Sequence, residues 1–117
     1  MTIKNAIITD VTITNDDHGC LSAWLTLDYG DCGMQGFGGY NLYIPRKNTK
    51  SQANYAGHFI WRVMEVADVT KWNKLINKCI RVNGDSSGIN KIGHITKDIW
   101  FDPKLEFSEL RDKSNET

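Results

Sequence analysis

The sequence predicts an α+β fold: a mainly antiparallel sheet of about five strands, with one principal helix at about residues 54–67 packed on one face. Three observations predict it. Between Asn54 and Leu75, residues Ala56, Phe59, Ile60, Val63, Met64 and Ala67 form one unbroken apolar stripe at helical period. Most of what flanks that stripe alternates with a period of two instead. A chain of 117 residues has the length of one domain with one modest core. That domain is expected over residues 1–107, with 108–117 as a flexible C-terminal tail.

The elements follow in order. Ile7, Val11 and Ile13 share one side of a β-branched run, with Asp10, Thr12 and Thr14 opposite, which reads as a half-buried strand. Asn15-Asp16-Asp17-His18-Gly19 is a cluster of turn formers. Leu21, Ala23, Leu25, Leu27 and Tyr29 then alternate with Ser22, Trp24, Thr26 and Asp28, the cleanest strand pattern in the chain. Gly30 to Gly33 closes a hairpin into a strand over Met34 to Ile44, and Pro45 ends it. Ser51 or Asn54 caps the helix. Beyond it, Thr70 caps a short turn carrying Trp72, Leu75 and Ile76, and Cys79 to Val82 is the next strand. Ile89, Ile92 and Ile95 break a strict alternation, which a bulge near Gly93 would restore.

Composition narrows the function classes. Lysine plus arginine total 14 and aspartate plus glutamate total 14, so no global field draws the chain to nucleic acid or to an anionic membrane. No apolar run approaches the roughly 20 residues of a membrane span, and Met1 to Asn5 lacks a signal-peptide layout, so a cytoplasmic protein is expected. Cys20, Cys32 and Cys79 are an odd set without CxxC spacing and read as free thiols.

Candidate sites come from residues that sit oddly in their pattern. Trp24 lies on the polar side of its strand, where a large ring either caps a second small core or marks a contact surface. Gly36-Phe37-Gly38-Gly39-Tyr40 reads first as a bulged strand passing under the helix, with a flat platform flanked by Phe37, Tyr40 and Tyr43, suited to stacking or a docked peptide, as the compatible alternative. Arg46, Lys47 and Lys50 belong to the only basic run, a solvated loop or a set of phosphate contacts. Binding residues are therefore expected among Trp24, Phe37, Tyr40, Tyr43, Arg46 and Lys47. On the helix, His58, Arg62 and Glu65 can be neighbours, an exposed ion pair beside a histidine. His94 and Asp98 form a hydrogen bond that anchors the C-terminal segment, or an acid–base pair. His18, Cys20 and Cys32 carry donors that suit zinc, yet they lack ligand spacing. No metal, cofactor or catalytic residue is expected, since no nucleophile identifies itself beside a base.

Gly57 to Glu65, Val69 to Leu75, Lys78 to Val82, Ile92-Gly93-His94-Ile95 and Asp98 to Pro103, with the Gly36 to Tyr40 stretch, resemble a family of small accessory proteins of bacteriophages and prophages. The resemblance covers most of the chain and carries no catalytic or binding residue over. It implies a viral protein acting inside a bacterial host cell, where such proteins commonly bind and inhibit a host or defence protein, an anti-CRISPR role being one form. The leading expectation is thus a non-enzymatic protein binder. The alternative is a nucleic-acid or nucleotide binder that uses the glycine–aromatic strand as its platform.

Overall fold

The longest element, β1 (Thr2–Asp17), is the spine on which the sheet is assembled. The computed structural model describes residues 2–30, 33–45 and 53–115, so Arg46, Lys47, Lys50, Ser51 and Cys32 lie outside the described residues. Along one edge β1 pairs antiparallel with β2 (Cys20–Asp28), turning through His18 and Gly19, both at positive φ. Along its other edge it pairs with β4 (Cys79–Asp85). With β3 (Met34–Gly38), β5 (Gly88–Gly93) and β6 (Trp100–Phe101), the strand order is β3-β2-β1-β4-β5-β6. Every pairing is antiparallel. The sixth strand is the addition to the expected sheet.

Three consecutive strands joined by hairpins, with a fourth returning by a long connection to lie beside the first, make a Greek key. Here that set is β1, β2, β3 and β4, and the connection contains α1 (Tyr55–Ala67). The sheet curls until β3 and β5 come into contact. Nearby, Gln35 Nε2 donates to the carbonyl of Asp85 at the end of β4 (2.9 Å). The result is a five-stranded, partly open barrel with β6 appended to β5.

A bulge sets which residues of β1 face inward. The register slips between Ile8 and Asp10, so Thr9 is the extra residue and the inward face changes from Ala6 and Ile8 to Val11 and Ile13. Ile8 pairs with Leu27, Val11 with Leu25 and Ile13 with Ala23. Ile7, expected on the core face, is therefore on the outer face and exposed. In the β4–β5 pair a slip falls at Asn83/Gly84, opposite Asn90, and not at Gly93 where the isoleucine spacing placed it.

α1 matches the expected helix. Asn54 caps it by accepting from Gly57 N (2.9 Å), and Asp68 closes it in the left-handed conformation. Its stripe buries Phe59, Val63, Val66 and Ala67 inside the curl. There Phe59 meets Phe37 from β3 and Phe101 from β6, with ring centroids 5.6–6.1 Å apart. Next comes a 3-10 turn at Trp72–Lys74, preceded by Lys71 and not by a threonine cap.

The largest departure from expectation is at the C-terminal end. Residues 103–115 form a helix, α2 (Pro103–Asn115), where a flexible tail was expected from 108. Asp102 caps it by accepting from Leu105 N (3.2 Å), and Pro103 occupies the first helical position, where a missing N–H costs nothing. Phe107 packs on Tyr55 and Tyr40, and Glu106 is held by α1.

Placing a charge among the three phenylalanine rings leaves it without a partner. Phe59→Asp is expected to abolish cooperative thermal unfolding followed by circular dichroism. A variant that melts as the parent does would remove this stripe from the core.

Candidate functional site

Cross-strand partners share a face of a sheet, and this rule decides where each sequence-derived site residue points. Trp24 pairs with Thr12 on β1 and Gly38 on β3, on the outer face. It remains 43% exposed. Phe37 pairs with Leu25 and is 1% exposed, inside the barrel. The expected surface joining Trp24 to Phe37 does not form, because neighbouring positions of β3 point to opposite sides. Tyr40 is half-buried among Phe37, Phe59 and Phe107. Tyr43 is exposed and forms a single bridge to Leu21.

The glycines of β3 are explained by Trp24 itself. A Cβ on Gly39 would lie 2.3 Å from the indole Cζ2, and one on Gly36 would lie 3.1 Å from Cζ3. Gly38 backs so closely onto β2 that a Cβ would sit 2.1 Å from the Ala23 carbonyl oxygen. The Gly36 to Gly39 run is therefore a bed for one ring, with the strand drawn tight beneath it. One side of the indole is covered by backbone, and the exposed remainder is presented on the outer surface of β2 and β3. The same device recurs at the far edge, where Trp100 lies over Gly93. That ring is also flanked by Arg81 (4.8 Å) and Lys91 (5.2 Å).

The expected Arg62–Glu65 ion pair forms on α1, and Arg62 and His58 also reach across to α2 as a clamp. His58 Nε2 donates to Glu106 Oε1 (2.7 Å) and Arg62 Nε donates to the same oxygen (2.9 Å). Arg62 also binds Glu65 and the Trp100 carbonyl, and it lies over the Phe101 ring. Asp102 N donates to Glu106 Oε2 (3.1 Å). Burial by itself would raise the Glu106 pKa, but hydrogen bonds from Arg62, His58 and the Asp102 N–H outweigh it and hold the carboxyl below its usual range. These donors commit Glu106 to docking α2 on α1. Sequence reasoning missed it because the partner lies 44 residues from Arg62.

His94 does not bond Asp98. Its Nδ1 accepts from Thr96 N (3.1 Å) and Lys97 N (3.0 Å), capping the turn before β6, and Arg81 Nε donates to its carbonyl (2.7 Å). Among the described residues, no three histidine, cysteine or acidic side chains are grouped to hold a metal. No described helix is long and apolar enough to cross a membrane. A cleft of about 920 Å³ between β5 and α2 is lined by Tyr40, Asn83, Lys91, Asp102 and Lys104. Burial, and then the Asp102 charge, push the Tyr40 phenol up.

The clamp has a pH signature. A carboxyl with a depressed folded pKa contributes stability that is complete above the unfolded pKa and is lost as pH falls through the folded one. Glu106→Gln should lower the Tm near neutral pH and flatten the decline of Tm that the parent shows below about pH 4.3. Identical melting curves across acid and neutral pH would show that the clamp contributes nothing. In Gly39→Ala, the added methyl and the positive φ at this position (76°) displace the Trp24 ring. A red shift in tryptophan emission reports that displacement, and unchanged emission contradicts it.

Comparison with protein-family models, with curated proteins and with solved structures finds no match for this chain, so its site is read from its own geometry.

Proposed function

We propose that the protein is a non-enzymatic binding module that takes single-stranded nucleic acid across the outer face of β2 and β3. The observation that carries this reading is Trp24, half-exposed on its glycine bed at the last β2–β3 pair of that face. A base stacks on an aromatic ring whatever its identity. A five-stranded, partly open Greek-key barrel is also the architecture in which OB-folds bind oligonucleotides across strands two and three. That parallel is one of architecture, and sites rather than folds carry function. Arg46 and Lys47 follow Pro45 in sequence and supply the cations nearest along the chain to Tyr43.

The second reading is a protein partner, a host or defence protein met inside a bacterial cell. It is supported by the resemblance to phage accessory proteins. Asp10 and Asp28, on the same face as Trp24, also favour it, because carboxylates repel a phosphate backbone.

Fluorescence anisotropy with a labelled oligothymidylate and its RNA counterpart separates the two. Trp24→Ala should weaken binding by about 10- to 100-fold, in line with ~1–3 kcal/mol per stacked base. Trp24→Phe should retain most of the affinity, and salt should weaken binding of the parent steeply. Absence of salt-dependent binding, or binding indifferent to Trp24→Ala in a variant that melts normally, would reject the nucleic-acid reading. Capture of a specific protein from host lysate, lost in Trp24→Ala, would then favour the second.

A further inference from the structure

β1 outruns the strand on its second edge. β4 pairs with Thr2 to Ile7, and the chain before it closes at Ile8, which donates to the Lys78 carbonyl (2.8 Å) and accepts from Asn77 N (2.7 Å). From Thr9 to Asp17, no strand among the described residues lies on that edge. Successive residues of a strand turn their backbone groups to opposite edges. In β2, Leu21 and Ala23 bond to Tyr43 and Gly39. Ser22, Trp24 and Thr26 therefore bond toward β1, where they meet Thr14, Thr12 and Asp10. This leaves the N–H and C=O groups of Val11 and Ile13 pointing outward, unmatched. Their side chains lie on the inner face beside Leu25 and Ala23, and Ile13 is 45% exposed. Between Val11 and Thr14 there is no proline, charge or register slip to blunt the edge.

We propose that this edge takes up an extended segment of another protein as an added strand, one that alternates apolar residues with lysine or arginine. The charges flanking the free stretch carry that choice. Asp10 and Asp16 are exposed, and neither makes an ion pair among the described residues. Together they oppose a second copy of the chain. Pairing two copies antiparallel about Ile13, the middle of the free stretch, would set Asp10 of each against Asp16 of the other. Like charges directly opposite destabilise a sheet. Moving the axis toward Val11 would drive the mate's hairpin into Asn77 and Lys78. A cationic strand meets both carboxylates instead. Running antiparallel to β1, it ends beside Lys78, which suits a carboxylate at its C-terminus. Val11 and Ile13 exchange backbone hydrogen bonds with it, and its apolar side chains extend the inner layer over Ile13. A phosphate backbone has neither the N–H donors nor the charge for this edge. Trp24 faces outward from β2, so the strand-addition and oligonucleotide readings stand apart.

NMR titration of the full chain with a synthetic heptapeptide, lysine-valine-threonine-valine-threonine-valine-lysine with a free C-terminus, tests this. Amide exchange at Val11 and Ile13 should slow on binding, while that of Thr12, which faces β2, changes little. Replacing both lysines of the peptide by glutamates should weaken binding on the order of tenfold or more. Asp10→Lys combined with Asp16→Lys should reverse that preference. Ile13→Pro removes an outward N–H that the free chain does not use, and it should abolish binding. Trp24→Ala should leave binding unchanged. A lysine peptide that does not bind, or binds without slowing those two amides, would overturn the proposal, as would equal binding of the glutamate peptide. Concentration-dependent dimerisation that protects the same amides would assign the edge to a second copy and overturn it too. If Ile13→Pro melts early, the charge reversal still decides the matter.

Discussion

The stack of Phe37, Phe59 and Phe101 is the contact on which the other elements depend. Its rings come from the third strand, the long helix and the last strand, elements far apart in sequence. Bringing them together curls the sheet, seats α1 inside the curl and fixes the short β6 against β5. Each ring is essentially removed from water, and burying such a side chain contributes roughly 1.5–3 kcal/mol. β6 has only two residues, so its two pairs with β5 would not hold it without Phe101.

The polar clamp is secondary to this stack and depends on it. Phe101 precedes the α2 cap by one residue, which sets the helix where Glu106 can reach Arg62 and His58. Half-burial strengthens those hydrogen bonds and raises the cost of breaking any one of them. A histidine, an arginine and a carboxylate close together suggest chemistry. Here the carboxylate oxygens are taken up by donors that join two helices.

What was legible in the sequence is what depends on local period. The α1 stripe and the Leu21 to Tyr29 alternation placed those elements and put Trp24 on the outer side. Properties set by register were not legible. Phe37 points inward because the hairpin pairs it with Leu25, and pairing register cannot be read from the strand's own period. The inward face of β1 was misread because one bulged residue, Thr9, reverses the alternation midway. α2 has no apolar stripe to advertise it, since Glu106 and Phe107 provide its main attachments. Its sign was the Asp102-Pro103 pair, a cap followed by the residue best suited to a first helical turn.

The glycine bed under Trp24 ties together positions that are apart in sequence. An indole at 24 takes the space a side chain at 39 would need and presses close on 36, and those glycines, without the indole, would leave bare backbone on an outer strand. Neither half of this pair can drift alone without cost. Chains descended from a common ancestor with this one should therefore change these three positions together or not at all. A large ring at 24 beside alanine or bulkier residues at 36 and 39 would mark a strand pair of different geometry.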